Sequence, residues 1–320
     1  MMKPVVYVTR KIPDDVLQPY REVFNIRMWE KEDKPVPRDI LLREAAKADG
    51  LLCLLTESVD KELLAAAKNL KVVANMAVGY DNIDVEAARS NGVVVTNTPD
   101  VLTETTADLT FALLMATARR VVEAADYIRE GKWDYWSPYL LAGSDIHGKT
   151  IGIAGMGRIG EAVARRAKGF GMSIQYNNRS RKEKAEQELS AVYKNFTAML
   201  QGSDFIVSLV PLTQKTAQMF DEEAFRNMKS SAIFVNVSRG GTVDEQALYD
   251  ALTNGQIRAA GLDVFDQEPI SPEHPLVGLQ NVVCLPHIGS ASEATRTKML
   301  KLSLDNLKAV LDGEKAITPV

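Results

Sequence analysis

The chain has 320 residues, of which 46% are hydrophobic and 25% charged, an ordinary composition for a globular protein with room for two domains. Its formal net charge of −4 argues against a general affinity for nucleic acid or anionic membranes. No segment approaches the roughly 18 uninterrupted apolar residues that a membrane span requires. The two cysteines, Cys53 and Cys284, lie in apolar runs and are predicted to be buried, inert thiols. A protein without a disulfide framework is expected in the reducing cytoplasm.

The first third of the chain alternates short apolar runs with helical patterns, as parallel βαβ units do. Five strands are predicted there, at residues 4–8, 24–29, 50–55, 71–76 and 92–97.

Residues 104–127 break this alternation. The segment reads as one long helix that is apolar on nearly every face in its middle. Such a helix is predicted to be buried on several sides, either between domains or between subunits.

A second series of strands and helices begins at Thr150. Its strand candidates are apolar almost throughout, as expected for central strands covered by helices on both faces. They lie at residues 150–155, 173–177, 204–210, 232–237, 259–264 and 281–285. A final helix is predicted near 292–311. The whole pattern predicts two α/β domains, the second inserted into the first.

A GxGxxG motif connects the first strand of this second series to the helix that follows. Gly155 would permit the tight turn, Gly157 would let the backbone approach a pyrophosphate, and Gly160 would let the helix pack close to the strand. The helix N-terminus, with Arg158 and Ile159, would offer amide donors to phosphate oxygens. The motif predicts a dinucleotide-binding turn; the alternative is a turn that is merely rich in glycine.

The loop after the next strand indicates which dinucleotide is used. NAD-specific folds carry an acidic residue there for the ribose 2′-hydroxyl, and this chain has none. Arg179 and Arg181 are predicted to bind a 2′-phosphate, with hydrogen bonds from Asn178 and Ser180. NADPH is therefore the expected cofactor, with NADH possible. The alternative is a solvated basic loop.

Three strong polar residues each follow an apolar strand of the second series: Arg239, Glu268 and His287. The carboxyl ends of parallel strands are where open α/β sheets bind ligands. Arg239 suits the anchoring and polarising of a keto acid, and His287 suits a general acid. Glu268 suits the role of orienting the imidazole and favouring its protonated form. Taken singly, Arg239 could serve a structural ion pair and Glu268 could be a loop residue.

Several long strings of the sequence together carry a family resemblance. The chain resembles the D-isomer-specific 2-hydroxyacid dehydrogenases over essentially its full length, and most of all their glyoxylate/hydroxypyruvate reductase branch. The matching strings are MAVGYDNIDVEAARSNGVVVTNTP, TADLTFALLMATAR, GKTIGIAGMGRIGEAVARRAKGFGM, VNVSRGGTVDEQAL, AGLDVFDQEP and LPHIGSAS.

The resemblance implies a particular domain layout. A Rossmann cofactor domain at 99–287 would be inserted into a flavodoxin-like substrate domain formed by 1–98 and 288–320. The family is typically dimeric through the cofactor domain, so a homodimer is expected, and this would explain the apolar helix at 104–127.

The resemblance also implies site residues. It supports the catalytic set Arg239, Glu268 and His287. Val78 and Gly79 would bind the substrate carboxylate through their backbone amides. Further contacts would come from Ser290 to the substrate, from Val210 and Pro211 along the cofactor cleft, and from Asp263 near the nicotinamide carboxamide. Some relatives carry a tryptophan where this chain has Leu140, which leaves the size of the substrate open.

The predicted activity is the NAD(P)H-dependent reduction of glyoxylate, hydroxypyruvate or a similar small 2-keto acid to the D-2-hydroxy acid. No metal, nucleic-acid or membrane partner is expected. The alternative function is that of a dinucleotide-sensing, corepressor-like binding protein on the same scaffold.

Overall fold

The computed structural model describes residues 2–320 and divides the chain into two compact units. Unit 2 is the continuous segment Thr103–Ser290, and unit 1 consists of the chain before it and after it. The sequence predicts the same order of segments, with boundaries at 98/99 and 287/288. No helix of residues 2–320 is long and apolar enough to cross a bilayer.

Unit 1 is built on a parallel sheet of five strands. The strand order is β2-β1-β3-β4-β5, which is the order of the flavodoxin-like fold. The strands are β1 Val5–Val8, β2 Asn25–Met28, β3 Gly50–Cys53, β4 Val72–Asn75 and β5 Val94–Thr96. The helices are α1 Asp14–Leu17, α2 Arg38–Ala45, α3 Lys61–Ala66, α4 Val85–Ser90 and, from the end of the chain, α12 Glu293–Leu311.

The central strands of unit 1 are buried at every residue because helices cover both faces of the sheet. The long helix α12 packs against β3 and β4. It begins where the Ser292 hydroxyl accepts a hydrogen bond from the Thr295 amide, a standard N-cap. The chain returns to unit 1 at Ala291, one residue before the start of the predicted final helix.

Unit 2 contains a seven-stranded parallel sheet in the order β12-β11-β10-β9-β6-β7-β8. Counted from β6, this is the Rossmann order 3-2-1-4-5-6 with one added strand. The strands are β6 Thr150–Ala154, β7 Ser173–Asn177, β8 Val192–Tyr193, β9 Phe205–Ser208, β10 Ile233–Asn236, β11 Ala259–Leu262 and β12 Val282–Cys284. The helices are α5 Thr103–Ala118, α6 Val121–Arg129, α7 Arg158–Gly169, α8 Glu183–Leu189, α9 Phe196–Gly202, α10 Glu222–Arg226 and α11 Glu245–Thr253.

Every strand predicted from the sequence is present, and both sheets are parallel throughout. The fold class is therefore confirmed: a Rossmann unit is inserted into a flavodoxin-like unit. Strand β8 was not predicted. It has two residues, both exposed at the edge of the sheet, so it leaves no periodic pattern in the sequence.

The prediction of one continuous helix over 104–127 is wrong. Helix α5 ends at Ala118, and Arg120 takes a left-handed conformation with φ 53° before α6 begins. The Ala118 carbonyl accepts a hydrogen bond from the Ser144 amide, and the Arg120 guanidinium binds both carboxylate oxygens of Glu123. Tertiary contacts therefore stop a helix that contains no proline or glycine. Only α5 carries buried residues, along one wide face.

Candidate active site

The glycine turn between β6 and α7 lies at the point where the strand order of unit 2 reverses. Gly155 has φ +99°, a conformation that side-chain-bearing residues rarely adopt. A Cβ atom on Gly155 would lie 2.7 Å from the carbonyl oxygen of Leu209, so the turn packs directly against the end of β9. A Cβ on Gly160 would lie 2.3 Å from the Gly155 carbonyl oxygen. Helix α7 can therefore approach the turn only because this residue is glycine.

The N-terminus of α7 is shaped to receive an anion. Gly157 is its N-cap, no side chain caps the first turn, and the space around the Gly157 Cα is open. The amides of Arg158, Ile159 and Gly160 begin this helix, at the positive end of its dipole. Val210 borders the turn, since a Cβ on Gly155 would lie 3.0 Å from its nitrogen. These features fit a dinucleotide pyrophosphate.

The basic loop after β7 differs from the prediction in one respect. Arg181 is held by Glu186: its Nε donates to Oε1 at 3.1 Å and its Nη2 to Oε2 at 2.5 Å. Arg179 is exposed and pairs with no carboxylate of residues 2–320. The Asn178 amide group donates to the Ser180 carbonyl at 3.0 Å, which closes a tight turn. The two arginines therefore have unequal environments.

A buried tyrosine fixes the partner of Arg181. Tyr176 lies on β7 with its side chain fully buried, and its hydroxyl donates to Glu186 at 2.6 Å. The same hydroxyl accepts from the Lys182 amide at 2.7 Å. Sequence reasoning missed Tyr176 and Glu186. The only signal available was the spacing of an acidic residue five positions after Arg181, which is too common to be informative.

The loop that carries Arg239 is held by side chains that donate hydrogen bonds to its backbone carbonyls. The Arg239 carbonyl accepts hydrogen bonds from the Asn236 amide group at 3.0 Å and from the Thr242 hydroxyl at 2.7 Å. The guanidinium Nη1 donates to the Ser238 carbonyl at 2.9 Å. The side chain is half-buried at the carboxyl end of β10. These contacts orient Arg239 before any substrate binds.

Gly240 brings the Arg239 loop against the loop after β11. A Cβ on Gly240 would lie 1.8 Å from the carbonyl carbon of Phe265, so any other residue would force the two loops apart. The Phe265 amide in turn donates to Glu268 Oε1 at 3.0 Å. Close backbone packing therefore places the Glu268 carboxylate near Arg239.

Glu268 and His287 form a hydrogen-bonded pair. The His287 Nδ1 lies 2.6 Å from Glu268 Oε2, and the two side chains are 33% and 28% exposed, respectively, for Glu268 and His287. Burial is the largest single influence and raises the pKa of the Glu268 carboxyl. The hydrogen bond and charge of His287, together with the Phe265 amide and Arg239, outweigh it, and the net pKa is lowered. Because Nδ1 is committed to Glu268, Nε2 is the ring nitrogen left to exchange a proton with a ligand.

Asp263 holds the turn that presents His287. His287 has φ 53°, and its amide donates to the Asp263 carbonyl at 2.9 Å. The Asp263 carboxylate accepts from the amides of Ile288 and Gly289, both at 2.8 Å. Its side chain is fully buried, and this burial raises its pKa. Asp263 thus binds three successive backbone amides. These hydrogen bonds stabilise the positive φ of His287, a conformation that is uncommon for residues other than glycine.

The predicted carboxylate-binding residues, Val78 and Gly79, follow β4 in unit 1. Their carbonyls accept from the amide groups of Asn97 at 2.8 Å and Asn75 at 2.9 Å. Among residues 2–320, no acceptor is found for either backbone amide. The loop is therefore fixed through its carbonyl groups while two adjacent amide donors remain available to an anion.

The remaining candidate residues and histidines show no arrangement that indicates a catalytic role. Pro211 is exposed and follows Val210, and Ser290 is the half-buried last residue of unit 2. His147 is exposed, and His274 caps the 3₁₀ turn Pro275–Gly278, which gives it a structural role. No group of three or more potential metal ligands is found among residues 2–320.

Rossmann topology, an uncapped glycine turn and an oriented histidine–carboxylate pair beside an arginine define the class of dinucleotide-binding α/β dehydrogenases. Comparison with known proteins agrees. Residues 111–289 match the model of the D-isomer specific 2-hydroxyacid dehydrogenase, NAD binding domain. The chain is 52% identical to a glyoxylate reductase of Korarchaeum cryptofilum, over 98% of this chain and 94% of that protein.

Solved structures give the same result. A protein from Thermus thermophilus superimposes with a TM-score of 0.92 at 44% identity, over 99% of both chains. An NADPH-dependent glyoxylate/hydroxypyruvate reductase from Sinorhizobium meliloti, in complex with NADP and malonate, has a TM-score of 0.87 at 38% identity, over 100% of this chain and 97% of that one. The chain therefore belongs to the D-isomer specific 2-hydroxyacid dehydrogenase family, in its glyoxylate reductase branch, and the predicted resemblance is confirmed.

Proposed function

We propose that the protein reduces glyoxylate, hydroxypyruvate or a similar small 2-keto acid to the D-2-hydroxy acid, and that it prefers NADPH over NADH. The observation that carries this proposal is the His287–Glu268 hydrogen bond of 2.6 Å beside Arg239, at the carboxyl ends of the Rossmann strands. The names of the relatives from Korarchaeum cryptofilum and Sinorhizobium meliloti support the substrate class.

Each residue of this set has a distinct task. Arg239 binds the keto acid through its planar guanidinium and polarises the carbonyl oxygen. His287 donates a proton from Nε2 to that oxygen as it becomes a hydroxyl. Glu268 holds the imidazole through Nδ1 and stabilises its charged form before the proton is given up. The bound nicotinamide supplies the hydride for the carbonyl carbon.

The substrate carboxylate is assigned to the free amides of Val78 and Gly79. Two adjacent backbone donors with anchored carbonyls form a small anion site that needs no charged side chain. Ser290 is proposed as a further, weaker contact. The recognition of a carboxylate by these backbone amides favours short 2-keto acids over neutral ketones.

The coenzyme is assigned to the glycine turn and the basic loop. The amides of 158–160 bind the pyrophosphate, with Val210 and Pro211 beside the turn. The loop after β7, where this fold binds the ribose 2′-phosphate, contains Asn178, Arg179 and Ser180. It lacks the carboxylate that NAD-specific folds carry at this position. Asp263 is proposed to lie near the nicotinamide carboxamide, while its carboxylate also holds the His287 turn through the amides of Ile288 and Gly289.

The proposal includes a homodimer formed through unit 2. Helix α6 buries none of its residues within the chain, and it continues into a segment rich in exposed aromatic side chains. The large apolar residues involved are Val121, Val122, Ile128, Trp133, Tyr135, Trp136 and Tyr139, which are 44% to 87% exposed. Exposed apolar surface of this kind marks protein interfaces. The free cysteines suit a cytoplasmic location.

A panel of 2-keto acids assayed with both coenzymes, followed by chiral analysis of the product, tests the proposal. D-2-hydroxy acid formed faster with NADPH is the expected result. Tight coenzyme binding without turnover of any keto acid would refute the proposed enzyme and favour a dinucleotide-sensing binding protein.

The coenzyme preference has its own test. The double variant Asn178→Asp with Arg179→Ser should shift the ratio of kcat/KM for NADPH to kcat/KM for NADH in favour of NADH. It introduces the carboxylate of NAD-specific folds and removes a cation. A parent protein that favours NADH would refute the preference while leaving the chemistry intact.

A further inference from the structure

We propose that Glu186 sets the strength of coenzyme discrimination by neutralising Arg181, so that Arg179 alone among the loop arginines contributes net attraction for a 2′-phosphate. The inference rests on the proposed NADPH preference and goes beyond it by naming a residue that opposes it. It replaces the sequence-based expectation that both arginines bind the phosphate.

The geometry of the pair carries the first step. Arg181 uses two donors, Nε and Nη2, to bind both carboxylate oxygens of Glu186, the fork-to-fork arrangement of strong arginine–carboxylate pairs. The Arg181 side chain is 64% exposed, whereas the Glu186 side chain is only 17% exposed. The carboxylate is therefore the fixed member of the pair, and the arginine is drawn to it.

Tyr176 explains why the carboxylate stays in place. Its ring is fully buried on β7 and packs edge-on against Tyr193, with ring centroids 5.5 Å apart. Its hydroxyl donates to Glu186 at 2.6 Å. The hydrogen bonds from Arg181 and Tyr176 lower the pKa of the Glu186 carboxyl, so it is ionised at neutral pH. The fold thus holds a permanent negative charge beside the coenzyme loop.

The charges determine the consequence for a 2′-phosphate, which carries about −1.5 to −2. The Arg181–Glu186 pair presents a net charge near zero to such a group, whereas Arg179 presents an uncompensated positive charge. Moving Arg181 onto the phosphate would break two hydrogen bonds and leave Glu186 facing another anion. Glu186 therefore limits the preference for NADPH and keeps NADH usable.

This arrangement predicts single-variant effects of opposite sign that cancel when combined. Glu186→Gln should tighten NADP⁺ binding several-fold, because Arg181 is no longer neutralised. Arg181→Gln should weaken it by a similar factor, because Glu186 is then uncompensated. The double variant should return close to the parent. Arg179→Gln should weaken NADP⁺ binding about tenfold, equivalent to about 1.4 kcal/mol, in every background.

Titration calorimetry with NADP⁺ and NAD⁺ measures these affinities independently of turnover, and thermal melting shows that each variant is folded. Glu188→Gln is the matched control. It removes the same charge from α8, where Glu188 pairs only with Lys184 at 3.8 Å, and it should leave the NADP⁺ affinity unchanged. NAD⁺ affinity should be unchanged in all variants.

A direct contact between Arg181 and the 2′-phosphate predicts different results. If Arg181 binds the phosphate directly, the double variant will lose as much NADP⁺ affinity as Arg181→Gln alone, and Glu186→Gln will not tighten binding; either result overturns the inference. Two further outcomes separate the coenzyme preference from the role of Glu186. If Arg179→Gln has no effect on NADP⁺ affinity, the proposed coenzyme preference itself fails.

If only Arg179→Gln changes the NADP⁺ affinity, the coenzyme preference stands and the proposed role of Glu186 is refuted. Should Glu186→Gln alone not fold, the double variant, which leaves neither charge of the pair, decides: parent-like NADP⁺ affinity supports the inference, and an affinity as low as that of Arg181→Gln overturns it.

Discussion

Replacing Glu268 by glutamine is expected to shift the alkaline limb of the pH profile for keto-acid reduction to lower pH by about one unit. The Glu268 carboxylate and the protonated imidazole of His287 stabilise each other, which is why the pKa of the Glu268 carboxyl is lowered despite its burial. Glutamine keeps an acceptor oxygen but not the charge. The pair would then lose the charge attraction that Glu268 supplies, so keto-acid reduction should fall off at a lower pH than in the parent.

The size of this shift follows from the geometry of the pair. A hydrogen bond to a charged group contributes about 1.5–3 kcal/mol, and one pH unit corresponds to about 1.4 kcal/mol. Both side chains are close to one-third exposed, so solvent screening favours the lower end of that range. Hence the expected shift is about one unit and not two.

The assay is the pH dependence of kcat/KM for glyoxylate at saturating NADPH, compared between the parent, Glu268→Gln and Glu273→Gln. Glu273 lies a few residues along the same loop, where its carboxylate bonds to Ser271 and not to the histidine, so its replacement controls for the loss of one negative charge. An unchanged profile in Glu268→Gln would refute the reasoning, as would an equal shift in both variants.

Four further outcomes are expected. His287→Asn should lower kcat by about 10² to 10⁴ while coenzyme affinity measured by calorimetry stays constant; near-normal turnover would remove His287 from the chemistry. Arg239→Lys should lose most activity with a raised KM, since an ammonium cannot form the planar fork, and normal keto-acid binding would make the arginine structural. Gly240→Ala should impair both activity and melting temperature, because its Cβ would overlap the neighbouring loop; a wild-type melting curve would contradict this. Native protein should react slowly with a thiol reagent at pH 8, since burial raises the pKa of Cys284 to about 11 and raises that of the fully buried Cys53; fast labelling before unfolding would show otherwise.

The sequence predicts the strands and the glycine turn well because each depends on local signals. A buried parallel strand such as β9 or β10 is apolar at almost every position, and the GxGxxG motif has a strand before it and a helix after it. Arg239, Glu268 and His287 could be grouped because each lies three to six residues after an apolar strand. Parallel topology then brings their loops to one edge of the sheet.

Features that depend on contacts between distant residues could not be predicted. The end of α5 is set by the Ser144 amide, which lies beyond the helix in sequence. The pairing of Arg181 depends on where α8 presents Glu186 and on the buried hydroxyl of Tyr176. The family resemblance names Asp263 as a coenzyme contact, but its hold on the His287 turn becomes visible only when the structure shows three amides bonded to it. In each case the decisive partner is specified by the fold and not by spacing.

The discontinuity of unit 1 has a consequence for synthesis on the ribosome. Helix α12 covers β3 and β4, and the terminal residues pin the adjacent strand, where the Val320 amide donates to the Val95 carbonyl at 2.9 Å. These segments emerge only after all of unit 2 has been translated, on the order of tens of seconds after β5 at usual elongation rates. Unit 2 is continuous and can close its own core during that interval. The nascent sheet of unit 1 meanwhile presents an uncovered apolar face, the kind of surface that chaperones bind, so its final packing can only follow the synthesis of unit 2.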